Sequence, residues 1–81
     1  MIPKITPQEI KEHIETRFAC LLSGGLLEIS VHKNALKISG SIVAVSAIER
    51  HTMRDLYPNH CRFLMRLEDY EKKKAVYTYK F

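Results

Sequence analysis

Apolar residues in this chain switch between two spacings, and the order of those switches restricts the fold more than any other feature. From Pro7 to Leu22, Ile10, Ile14, Phe18, Leu21 and Leu22 recur every three or four positions, the period of one helix face. From Leu27 onward the period drops to two. Leu27, Ile29 and Val31 alternate with Glu28, Ser30 and His32, and Leu36 and Ile38 alternate with Lys37 and Ser39. That is the pattern of strands with one buried face. A helical period returns through Ile48, Thr52, Met53 and Leu56, and alternation returns after Pro58. The predicted order is helix, strand, strand, helix, strand, strand.

Local signals mark the boundaries. Thr6-Pro7-Gln8-Glu9 supplies a hydroxyl cap, a proline at the first helical position and a carboxylate three residues after the cap, so a helix should begin at Pro7. Ser23-Gly24-Gly25 should end it. Lys33-Asn34 fits a tight hairpin turn, with Asn34 expected to take positive φ, and Gly40 closes the second strand. Ser46 and Glu49 repeat the capping-box spacing, which predicts the second helix start at Ser46, and Pro58 stops that helix. Its apolar face is narrower, so shallower burial is expected. In the last half, Cys61, Phe63, Met65 and Leu67 alternate with Arg62, Leu64, Arg66 and Glu68. Ala75, Tyr77, Tyr79 and Phe81 then alternate with Val76, Thr78 and Lys80.

These elements predict an α+β fold, a two-layer αββαββ sandwich with two helices on one face of a mostly antiparallel four-stranded sheet. The 81 residues suffice for a single domain, 1–81. A domain of this size buries only about 60% of its unfolded surface, so the core should be thin. The uncovered face is expected to carry some of Glu28, Ser30, His32, Lys37, Ser39, Arg62, Arg66, Thr78 and Lys80. Tyr77, Tyr79 and Phe81 are expected in the core.

The chemistry-bearing residues point away from catalysis. His13, His32, His51 and His60 fall on separate predicted elements, without the short Cys/His spacings of structural zinc sites, so no metal is expected. Cys20 and Cys61 lie in unlike apolar patterns and read as small buried hydrophobes rather than a disulfide. Ser23-Gly24-Gly25 lacks the form of a nucleophile elbow or a phosphate loop. The sequence therefore reads as a non-enzymatic binding module without a cofactor.

The net charge of +4 favours acidic partners, although Lys72, Lys73 and Lys74 supply most of the excess. Lys37, Arg62, Arg66 and Lys80 are the residues expected to meet an acidic surface, because alternation puts them on the open face. Nucleic acid is one alternative partner, but the aromatics fall in the opposite register and offer no stacking platform. A host protein is another, engaged in the way small phage or plasmid inhibitors and adaptors work. The C-terminal strand is short, rich in tyrosine and free of proline, and as an edge it would recruit a partner or form a homodimer.

Val31, Asn34, Leu36, Ile38, Gly40, Ile42, Ser46 and Glu49 together resemble the pattern of the BON domain, a small module of bacterial envelope and osmotic-stress proteins. Ala35 stands where that family usually has a turn glycine. The resemblance implies non-catalytic binding of phospholipid, another envelope component or a small ion, with no catalytic residues to carry over. The opening MIPKITPQEI has no signal-peptide core, and no apolar run reaches the roughly 18 residues of a membrane span. The chain as given is read as cytoplasmic, with the envelope an option if a leader has been removed.

Overall fold

A computed structural model describes residues 5–81. The part of the leader reading that rests on Met1 to Lys4 lies outside them. Within them the order is α1 (Pro7–Arg17), α2 (Ala19–Ser23), β1 (Leu27–His32), β2 (Ala35–Ser41), α3 (Ile42–Ile48), β3 (Arg62–Asp69) and β4 (Lys74–Lys80). The four strands form one antiparallel sheet in the order β1-β2-β4-β3. This is the two-layer α+β arrangement that the alternating periods predict.

Helix α1 starts where Thr6 and Pro7 place it, with the Thr6 hydroxyl accepting from the Glu9 N–H at 3.2 Å. It breaks at Phe18 and resumes as α2, so the single helix expected to Leu22 is two pieces. The Thr16 hydroxyl bonds back to the Glu12 carbonyl at 3.0 Å just before the break, a contact that bends helices. Gly25 at φ 75° then ends α2, with the Leu26 N–H donating to the Leu21 carbonyl and the Gly25 N–H to the Leu22 carbonyl. Those two bonds make a Schellman stop. Cys20 is exposed on α2, contrary to its expected burial, because its position lies off the helix face that Ile10, Ile14, Phe18 and Leu21 define.

In the β1–β2 hairpin, Lys33 and not Asn34 takes positive φ, at 54°. Gly40 does more than close its strand. Its φ is 139°, and a Cβ there would collide with the Leu26 carbonyl oxygen and come within 2.9 Å of the carbonyl carbon. The strand runs on to Ser41, whose N–H donates to the Leu26 carbonyl at 3.0 Å.

The second helix differs most from expectation. It begins at Ile42, directly after β2, so Ser46 and Glu49 are interior residues and not a capping box. Over Glu49–Arg54 it widens into π-helical turns, and the five-residue spacing lets Arg54 grip Glu49, with Nη2 2.9 Å from Oε1. Its burial is deep rather than shallow: Ala44, Val45, Ile48, Thr52 and Met53 are all buried. They join Ile10, Ile14, Leu27, Leu36, Ile38, Ala75, Tyr77 and Tyr79 in one core.

The two main helices are not equivalent. α1 lies over β1 and β2, its own hairpin, whereas α3 lies over β2 and β4, one strand in from the far edge. With no linker after β2, α3 must start above the end of that strand, and the Ile42 N–H pins it there by donating to the Lys73 carbonyl at 3.1 Å. β3 is left at the rim, with β4 as its main neighbour.

Candidate functional site

Strand β3 does not follow simple alternation. Its register against β4 shifts between Phe63 and Met65, so Phe63 faces Tyr79, Met65 faces Thr78, Arg66 faces Tyr77 and Leu67 faces Val76. Leu64 is the extra residue of a β-bulge, and everything after it changes sides. Phe63, Arg66 and Glu68 share the helix-side face with Tyr79, Tyr77 and Ala75. Arg62, Met65, Leu67 and Asp69 share the open face with Lys80, Thr78, Val76 and Lys74.

The four cations predicted to act together are therefore divided. Lys37, Arg62 and Lys80 do meet at one end of the open face. Lys80 pairs directly with Arg62 on one side and Ala35 on the other, and Lys37 pairs with Thr78 one step along. Arg66 lies on the opposite face, a correction caused by the bulge. Its guanidinium sits 5.0 Å from the Tyr77 ring centroid and 5.9 Å from that of Phe63, the range of a cation–π contact. Its Nε donates to Glu68 at 3.1 Å. Glu68 in turn accepts from the Tyr77 and Tyr70 hydroxyls, each at 3.3 Å. The carboxylate beside Tyr70 pushes that phenol above its ordinary range. Arg66 is thus committed to contacts within β3 and with its neighbour β4.

The edge assignment is also corrected. β4, with Tyr77 and Tyr79, lies inside the sheet between β2 and β3, and the edges are β1 and β3. These two edges differ in chemistry. β1 turns Leu27, Ile29 and Val31 toward the helices and leaves polar Glu28, Ser30 and His32 outside. β3 is exposed at every residue except Glu68, which is half-buried, and its exposed residues include Phe63, Leu64 (60%), Met65 (47%) and Leu67 (55%). Phe63 stacks on Tyr79 at 4.7 Å, so its ring is fixed while one side stays open. Eight residues of strand carry apolar side chains on both faces and, among the described residues, pair along one side only. Alternation alone set Phe63, Met65 and Leu67 on one face, opposite Arg62 and Arg66, so sequence reasoning missed this surface. The signal it left was the run Phe63-Leu64-Met65, apolar at three consecutive positions.

Two of the four histidines come together around Tyr57, whereas His32 and His51 are exposed elsewhere. His13 and His60 flank Tyr57 edge-on, with ring centroids at 6.1 and 5.6 Å. Among the described residues, His13 Nε2 and both ring nitrogens of His60 are enclosed without hydrogen-bond partners. Cys61 lies beside them ahead of β3, its thiol 4.0 Å from the Tyr57 carbonyl and pushed by burial up to about 11. Among the described residues no group of three or more His, Cys, Asp or Glu is arranged to hold a metal. No helix of the described residues is long and apolar enough to cross a membrane.

No family model, curated protein or solved structure matches this chain.

Proposed function

We propose that the chain is a non-enzymatic binding module that receives an extended protein segment along β3, with Lys37, Arg62 and Lys80 drawing acidic groups to the open face beside it. The observation that carries this reading is the edge itself. A long strand that among the described residues pairs along one side only, and is apolar on both faces, is the feature that soluble domains otherwise cover, shorten or charge. Backbone pairing along such an edge supplies affinity, and the exposed Leu64, Met65 and Leu67 supply contacts for alternate partner side chains. The nucleic-acid reading is weaker, because one of its four cations is held by Glu68 on the other face.

A photo-cross-linking residue placed at Met65 or Leu67 tests the proposal in cells. Protein adducts that survive a high-salt wash are expected from both positions, with none from Val43, which is exposed on α3. A salt-sensitive shift of DNA or RNA that vanishes with Arg62→Ala/Lys80→Ala, in the absence of protein adducts, would contradict it.

One observation favours a second reading. Arg62 and Lys80 lie on the same face as the exposed Met65 and Leu67, and cations beside apolar side chains suit an anionic lipid interface. This agrees with the envelope role that the resemblance to BON domains implies. Flotation with phosphatidylglycerol vesicles and not with phosphatidylcholine vesicles would support it.

A further inference from the structure

We infer that the segment received along β3 is β3 of a second copy, paired antiparallel about Leu67. This rests on the reading of β3 as a protein-docking edge and names its occupant. The first argument is charge order. Arg62 and Arg66 lie in the first five residues of the strand, and Glu68 and Asp69 are its last two. An antiparallel second copy brings the basic half of one strand toward the acidic end of the other, whereas a parallel copy in register sets like against like. The strand is neutral overall within a chain of net charge +4, so this edge is a place where two copies approach without charge opposition.

Face parity then selects the register. Residues directly opposite each other in an antiparallel pair must lie on the same face. In the regular segment after the bulge, Met65, Leu67 and Asp69 lie on the open face, and Arg66 and Glu68 on the helix side. Centring the pair on Arg66 sets two guanidinium groups against each other, which is unfavourable. Centring it on Met65 brings Arg66 opposite the bulged Leu64. Centring it on Leu67 keeps face parity throughout Met65 to Asp69 and sets no like charges opposite each other there: Leu67 meets Leu67 of the second copy, Arg66 meets Glu68 and Glu68 meets Arg66, and Met65 lies beside Asp69. The Arg66–Glu68 bridge already present within one strand, at 3.1 Å, then becomes a closed four-membered charge ring across the twofold axis. The two sheets merge into one of eight strands, and the apolar edges disappear from solvent. Such an interface is isologous and closes at two copies.

Sedimentation equilibrium of the full chain reads the proposal directly. The expected result is a dimer that dissociates on dilution, with Leu67→Lys raising the dissociation constant at least about tenfold, the equivalent of about 1.4 kcal/mol. Arg66→Glu and Glu68→Arg should each weaken the dimer, and the double exchange should restore it, with circular dichroism confirming that all variants are folded. In a Cys20→Ser/Cys61→Ala background, Leu67→Cys should form a disulfide-linked dimer under mild oxidation, and Val43→Cys should not. A chain that stays monomeric at its highest soluble concentration overturns the proposal, as does a dimer indifferent to Leu67→Lys and to the charge exchange. A monomer whose β3 cross-links to a different protein rejects self-pairing and keeps edge docking. A monomer whose β3 cross-links to no protein removes both.

Discussion

Arg62 stands directly opposite Lys80 across β3 and β4, two like charges on the same face of the sheet. Like charges in that position destabilise an antiparallel pair by a few tenths of a kcal/mol up to about 1 kcal/mol. Arg62→Glu is therefore expected to raise the unfolding free energy by about 0.5 kcal/mol at low salt, with the gain shrinking as salt screens it. Urea unfolding at two salt concentrations measures this. The same change should weaken binding to any acidic partner, so stability and binding should move in opposite directions.

Gly40→Ala is expected to cost at least about 2 kcal/mol, through positive φ combined with overpacking. At φ 139° the added methyl has no relaxed position and meets the backbone of Leu26 and Leu27, which no side-chain rotation can relieve. Gly25→Ala meets no atom and suffers only its φ of 75°, so it should cost less. The order of the two midpoints in urea is the test.

Thr52 is fully buried, and among the described residues its hydroxyl has no partner, nor has that of Tyr79. Removing a buried polar group that bonds nothing relieves a desolvation cost. Thr52→Val and Tyr79→Phe should leave stability unchanged or raise it by up to about 1 kcal/mol, by thermal or chemical unfolding. A loss above that size in Thr52→Val would show that the hydroxyl has a partner.

The two thiols should react in sequence. Cys20 is exposed, and alkylation at neutral pH should reach it first, while Cys61 stays protonated because burial raises its pKa from 9.0 to about 11. The fold holds this thiol neutral longer than the unfolded chain does. Its contribution to stability is therefore fully present below about pH 9 and lost as pH rises through about 11. Burial raises the Tyr79 phenol as well, which acts in the same direction at still higher pH. The alkaline fall in the urea midpoint between pH 9 and 11 should shrink in Cys61→Ala.

The element order and the core were legible because they rest on spacing. Ile10, Ile14, Leu36, Ile38, Tyr77 and Tyr79 are buried as their periods require, and Thr6 and Gly25 cap helices as their chemistry requires. The second helix start was not legible, because a strand that runs into a helix without a linker leaves no turn residues to mark it. Ser46 and Glu49 then carried the only capping pattern available. The basic site was half legible. Lys37, Arg62 and Lys80 obey alternation and meet, whereas Arg66 follows a bulge that apolar residues on both sides of Leu64 conceal. Which strand lies outermost was not legible at all, since β4 reaches its place between β2 and β3 by long-range pairing that local sequence does not encode.

The extra residue at Leu64 also sets how any ligand must approach. Arg62 and Arg66 are spaced as two side chains that an uninterrupted strand would aim in one direction, yet here they point to opposite sides of a thin rim. A flat surface pressed against the sheet can touch the first and never the second. Only an occupant that straddles the rim, gripping it from above and below at once, engages both arginines together.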